Sequence, residues 1–373
     1  MSYRLVTSES VSDGHPDKIA DQISDAVLDQ ALMLDKHARV ACETIIKGKW
    51  IGLAGELTAS SDINYADAVC SVLSEVYNRK VCASELELLI HMGLQSKEIA
   101  HGVDHYRDAR IGAGDQGVMF GYACNENNLF MPYSVVLSHQ LMQQQKRVRQ
   151  SNPMLGADAK AQVTMAYTGN QPSYVDTVLI STQHVAEFSL SDLRALVQNE
   201  ILDPIIPKDL ITEETRFVIN PAGSFIEGGP DADCGLTGRK IIVDTYGGVG
   251  HHGGGAFSGK DATKVDRTGA YMARYVAKHI VAADLAERCE VQLAYAIGKS
   301  RPVAVSINTF GTFKIPESMI LSKVESIFDF STEAMIVALE LNQPIFRQVA
   351  AFGHFGRSDL DLPWERLDRM ERF

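Results

Sequence analysis

Gly228 to Lys240 reads GGPDADCGLTGRK, and after a short apolar run Gly247 to Arg267 reads GGVGHHGGGAFSGKDATKVDR. Glycine lets backbone N–H groups come close to a ligand. Arg239, Lys240, Lys260 and Lys264 carry the charge to neutralise phosphate, while Asp233, Asp261 and Asp266 suit ribose hydroxyls or a hard cation such as magnesium. One such segment is equally well read as a glycine turn with solvated charges. Two in tandem around a strand-like run, with cations at both ends, point to a polyanion site. Gly254 to Asp261 (GGAFSGKD) follows the phosphate-loop pattern G-x-x-x-x-G-K-[ST] up to its last position. There Asp261 replaces the hydroxyl that would meet magnesium, and no helix is expected to follow until Ala270, so a P-loop phosphotransferase is a minor alternative.

The rest of the chain sets this segment in context. With 373 residues, 45% apolar and 22% charged, it is a folded chain long enough for two or three domains. The charge of 35 − 47 = −12 argues against nonspecific nucleic-acid or anionic-membrane binding, so an anion site must be local. Six scattered cysteines (Cys42, Cys70, Cys82, Cys124, Cys234, Cys289) form no C-x-x-C pair and read as reduced core thiols. The start MSYRLVTSES has neither signal nor transit character and no window reaches membrane-span length, so the expected location is cytoplasmic.

A helix is expected from His15-Pro16-Asp17, with Ile19, Ile23 and Val27 on one face. Asp21, Asp25 and Asp29 share another face, where they either meet water or a cation; solvation is the expectation. Ala38–Ile46 and Trp50–Leu57 read as a hairpin around Lys47, Gly48 and Lys49, with Glu43 and Glu56 on its polar face. Tyr65 to Met92 reads as helical, and the polar stretch Gln95 to Arg107 as a candidate lid. Gly112, Gly114 and Gly117 fit G-x-G-x-x-G, but a polar loop precedes them and a strand-like run follows, the wrong context for a dinucleotide turn. Further on come a helix over Met131–Gln150, strands over Gln162–Tyr167 and Val175–Thr182, a helix start at Ser189, a helix over Ala270–Leu285 and a strand over Val291–Ile297. Strands and helices thus alternate in three stretches of similar size.

Taken together, SESVSDGHPDKIADQISDAVLD, GAGDQG, DAKAQVT, GGPDADCGLTGRKIIVDTYGG and HGGGAFSGKDATKVDR resemble the S-adenosylmethionine synthetases (methionine adenosyltransferases) of bacterial type, in the same order and over essentially the whole chain. The resemblance implies an α/β (α+β) fold of three similar domains with pseudo-threefold symmetry, each a mixed sheet with helices, spanning 1–101, 112–227 and 229–367. It implies a homodimer whose active sites lie between subunits, usually a dimer of dimers. The implied reaction is attack of methionine sulfur on C5′ of ATP, expelling triphosphate, which is hydrolysed to diphosphate and phosphate. A thioether sulfur carries no proton, so no general base is needed, and the chain shows no G-x-S-x-G elbow.

Carried over motif by motif, His15 of GHPDK stands beside the breaking C5′–O bond and Asp17 binds magnesium. Lys160, with Asp158, contacts ATP and helps the departing oxygen. Arg239 and Lys240 form a triphosphate clamp, Lys260 adds a phosphate contact, and Lys264 reaches toward phosphate and methionine. Catalysis is assigned to His15, Lys160, Arg239 and Lys260. Asp266 takes a second magnesium and Glu43 a potassium ion, giving two Mg2+ and one K+ per site. Asp233 touches ribose and methionine, Phe225 and Ala256 line the adenosine pocket, and Glu56, Gln95 and Asp115 complete the methionine site. Ser224, also at the ATP site, stands where many bacterial relatives carry Arg and retains only a backbone contact; Thr268 replaces a frequent Ser. A non-catalytic nucleotide-sensing paralogue is the remaining alternative, disfavoured by intact His15, Lys160 and Lys260.

Overall fold

The structure, a computed structural model, describes residues 3–96 and 111–373. The chain opens with β1 (Arg4–Val11) and enters α1 (Pro16–Leu34), which starts where its sequence says it should. Pro16 fills the first turn, where a missing N–H costs nothing, and His15 caps the helix by accepting the Asp17 N–H at Nδ1, 3.1 Å away. β2 (Arg39–Lys47) and β3 (Trp50–Thr58) form the expected hairpin, with Gly48 at φ 55° in the turn. α2 (Tyr65–Val76) is shorter than the helix expected to run to Met92. Asn78 turns the chain at φ 49°, and Glu87–Gly93 becomes β4, parallel to β3 from Trp50↔Glu87 to Glu56↔Gly93. Its apolar run fits either period, and pairing with β3 decides the outcome.

β5 (Gly117–Cys124) follows the GAGDQ turn directly, so the glycine pattern there opens a strand and not a dinucleotide-binding helix. Next come α3 (Tyr133–Ser151), β6 (Leu155–Thr168), β7 (Gln171–His184), α4 (Leu190–Val197), β8 (Arg216–Ile219) and the two-residue β9 (Gly235–Leu236). α5 (Val265–Ala282) begins five residues before the expected Ala270. β10 (Arg288–Tyr295), β11 (Ala304–Asn308), α6 (Glu317–Ile327) and α7 (Thr332–Ala338) follow, and short helical turns such as Ile241–Asp244 lie between these elements.

The strands form three sheets, ordered β4-β3-β2-β9, β1-β6-β7-β8 and β11-β10-β5. The first two end in a parallel strand and are mixed, as expected of the α/β class. The third is antiparallel throughout its described strands, a correction to the expectation of three mixed sheets. A parallel partner needs a long crossover that returns as a strand, whereas the chain after β11 runs into α6 and α7. Each sheet also contains one strand from another third of the chain. β1 joins the second sheet beside β6, β5 joins the third beside β10, and β9 joins the first beside β2, a cyclic exchange. One large apolar core packs α1, α2 and α5 with the first and third sheets, and a second packs α3 and α4 on the β6–β7 sheet. No helix among the described residues is long and apolar enough to cross a membrane. All six cysteines are free; Cys42, Cys124 and Cys289 are buried, but Cys82 is exposed and so is no core thiol.

Candidate functional site

The N-terminus of α1 gathers the first set of expected residues. His15 is only 2% exposed. Burial first, then the Lys240 and Lys160 ammonium groups, lower its imidazole pKa to about 3, against the opposing pull of Asp17 and Asp233. Because Nδ1 accepts the Asp17 N–H, the neutral ring carries its proton on Nε2, a donor at helix entry. Asp17 is buried too, with Oδ1 accepting the Leu236 N–H at 2.9 Å and Oδ2 receiving Lys240 Nζ at 2.5 Å. Burial alone would raise its pKa, but Lys240 and the Leu236 amide hold it below the usual carboxylate range.

Lys160 is exposed on β6, opposite Val11, two residues from buried Asp158. Asp158 Oδ2 accepts the Gly229 N–H at 2.9 Å, while its buried Oδ1 has no hydrogen-bond partner; burial raises this carboxyl's pKa. Asp233 is exposed and caps its own turn by accepting the Cys234 N–H. Arg239 is exposed beside Lys240. Phe225 is held by a pair of bonds to His184, donating its N–H to Nε2 at 3.1 Å and accepting the His184 N–H at its carbonyl, and Ser224 is exposed in the preceding turn.

A second set collects around the loop before α5. Lys260 pairs with Asp266 at 2.7 Å and forms a bridge to Ala41 of β2. Glu43 and Glu56 are exposed on β2 and β3, on the polar face as expected. Although exposed, Glu43 has its pKa raised, by desolvation first and by neighbouring Asp21 and Glu56, with Lys260 opposing. Lys264 Nζ bonds Asp261, whose buried carboxylate also accepts the N–H groups of Val40 and Thr263. Asp261 is therefore a structural anchor of this loop and leaves no phosphate-loop hydroxyl to meet a metal. Ala256 Cβ adjoins Gly238, where any added Cβ would lie 2.6 Å from it. Exposed Asp115 follows Gly114, whose N–H bonds the Thr263 carbonyl, so it joins this set. Gln95 is half-buried after β4, and the expected lid beyond Ser96 lies outside the described residues. Among the described residues, no hydrogen bond or ion pair joins the second set to the first.

The acidic stripe of α1 departs most from expectation. Asp21 and Asp25 are fully buried and Asp29 half-buried, so none of them is a solvated surface charge. Asp21 pairs with buried Lys18 at 2.8 Å, Asp25 makes a two-pronged bond to buried Arg267, and Asp29 accepts the Phe346 and Arg347 N–H groups. The i, i+4 spacing of the acids was the available signal; their cationic partners sit more than two hundred residues away or on the same turn, where spacing alone cannot pair them.

Family models of S-adenosylmethionine synthetase match the chain in three consecutive stretches: the N-terminal domain over residues 3–97, the central domain over 110–225 and the C-terminal domain over 227–366. The chain belongs to the S-adenosylmethionine synthetase family. Its activity is that of a methionine adenosyltransferase.

Proposed function

We propose that this chain joins methionine to the adenosyl group of ATP at a site assembled from the two residue sets, one from each subunit of a homodimer. The sulfur lone pair forms the S–C5′ bond as the C5′–O bond breaks. Its electron pair leaves with triphosphate and the sulfur becomes a sulfonium. Water then cleaves triphosphate to diphosphate and phosphate. The observation that carries this reading is the His15–Asp17–Lys240 constellation at the α1 N-terminus, in a chain of this family.

The leaving group accumulates negative charge, so catalysis falls to preorganised donors, each worth about 3 kcal/mol by analogy with loss of one oxyanion donor. His15 donates from Nε2 without first binding a proton. Lys160, Arg239, Lys240 and Lys260 neutralise the departing chain, and the unpartnered Oδ1 of Asp158 offers ATP an acceptor. Phe225, Ala256 and the Ser224 backbone support the nucleoside. Glu56, Gln95, Asp115, Asp233 and Lys264 hold methionine, whose ammonium suits Glu56.

Among the described residues no three His, Cys, Asp or Glu side chains gather into a metal cage. Asp17 and Asp266 each offer one carboxylate, a hard oxygen donor that suits magnesium, and each would hold one ion. Bound there, magnesium supplies further charge neutralisation for triphosphate. Glu43, with Asp21 and Glu56 pressing on its charge, is the residue for potassium. Residues 1–101, 112–227 and 229–367 are assigned as the three domains, and two dimers as the full assembly.

The test is one incubation of the purified protein with ATP, methionine, magnesium and potassium, with products resolved by mass spectrometry and phosphate assay. S-adenosylmethionine with equal diphosphate and phosphate is expected. ADP as the nucleotide product would instead mark a phosphotransferase, and no turnover a nucleotide sensor.

A further inference from the structure

We propose that Asp21 and Asp25 are positioning residues that fix both phosphate-facing loops to successive rungs of α1. This deepens the clamp reading above and rests on it. Asp17, Asp21, Asp25 and Asp29 recur every four residues, each step advancing about 6 Å along the helix. Each carboxylate grips backbone from the last 140 residues of the chain. Asp17 takes the Leu236 N–H at 2.9 Å, Asp21 the Gly238 N–H at 2.8 Å, Asp25 the Gly259 N–H at 2.8 Å, and Asp29 those of Phe346 and Arg347.

The gripped amides stand next to the cations. Gly238 precedes Arg239 and Lys240, and Gly259 precedes Lys260. Each loop is held a second time. Arg267, forked on Asp25 at 2.7 and 2.8 Å, also donates to the carbonyls of Phe257 and Lys260. Lys18 links Asp21 to Asp244, in the turn just after Lys240. Both glycines are left-handed, at φ 78° and 79°, and a Cβ would come within 2.6 Å of Ala256 Cβ and 2.0 Å of the Cys42 carbonyl oxygen. Sequence and backbone are thus committed on both sides of each bond.

A row of like charges weakens a helix, and apolar residues would fill the same space without desolvation. The return on burying these acids is therefore geometric: one rigid helix carries His15 at its entry and sets Lys240 and Lys260 by rung. Asp29 makes the same kind of bond to a segment holding no expected site residue, which makes it an internal control.

Asp21→Asn and Asp25→Asn place an amide N–H against Lys18 or Arg267. In the full-length protein they are expected to lower kcat for synthesis and hydrolysis of supplied inorganic triphosphate on the order of 100-fold. The KM for methionine should stay within about twofold, since the loss lies in transition-state placement. Asp29→Asn should lower Tm and leave both activities in place. Wild-type kcat in both the Asp21 and Asp25 variants, or equal loss in the Asp29 variant, overturns the proposal. If the Asp21 and Asp25 variants do not fold, amide exchange on the wild-type protein decides it. Gly238 and Gly259 are expected to be protected, and exchange at the free-peptide rate overturns it. Lys240→Ala and Lys260→Ala separate the two readings. If they lose turnover while the acid variants keep it, only the positioning role fails; if they too keep it, the clamp itself fails.

Discussion

Lys240 Nζ and Asp17 Oδ2 meet at 2.5 Å, although 223 residues separate them in the sequence. If Lys240 holds triphosphate and Asp17 holds magnesium, as proposed above, both ligands act on this one pair. Asp17→Asn is expected to lower synthesis by on the order of 100-fold and to raise the magnesium concentration at half-maximal rate. A magnesium titration of initial rates checks this, and an unchanged midpoint would remove Asp17 from metal binding.

Lys160→Ala and His15→Ala should each lower turnover far more than stability. Lys160 is exposed, so its loss should shift unfolding by no more than about 0.5 kcal/mol. Steady-state rates and urea unfolding on the same preparations give both numbers. Wild-type kcat in either variant would exclude that side chain from the mechanism.

If each active site takes one set of residues from each subunit, Lys240→Ala and Lys260→Ala should complement. A mixed dimer has one doubly altered site and one intact site, so random re-pairing of two inactive variants should restore about a quarter of wild-type activity. Unfolding, mixing and refolding the two proteins tests this. No recovery, with mixed dimers demonstrated by mass, would mean that each site takes both of its lysines from one subunit.

His139 is buried, with Nδ1 bonded to Ser10, and burial first, then the Arg357 and Lys18 charges, lower its pKa to about 3. Between pH 3 and 6.5 the unfolded chain therefore holds a proton on this ring that the folded chain does not, and acidification favours unfolding. His139→Asn removes that uptake. The stability gap between wild type and variant should narrow by about 1.4 kcal/mol for each pH unit below 6.5. Urea unfolding at several pH values measures it, and a constant gap contradicts the assignment.

Gly55, next to Glu56 on β3, has φ 146° and leaves no room for a side chain, since a Cβ would lie 1.9 Å from the Ala41 carbonyl oxygen. Gly55→Ala should cost about 3 kcal/mol or more through backbone strain across the β2–β3 ladder. A urea midpoint within error of wild type would show that the ladder yields there.

Local chemistry made part of this structure legible. His15-Pro16 announces α1, Gly48 announces the hairpin, and the alternation around Glu43 and Glu56 places both on a polar face. The glycine-rich loops and their cations were readable because glycine and phosphate chemistry leave a compositional mark. What escaped depends on distant partners. Glu87–Gly93 became a strand through β3, and Gly235–Leu236 is a strand only because Ile45 and Ile46 lie beside it. Asp21 and Asp25 looked like surface charges because Gly238, Gly259 and Arg267, which bury them, lie far along the chain.

The cyclic exchange of β1, β5 and β9 means that no third of this polypeptide can close its own sheet. Expressed separately, the thirds would each expose a raw hydrogen-bonding edge and should clump unless all three met. A third grafted singly into another protein would carry that open edge with it, so these pieces are not self-contained modules.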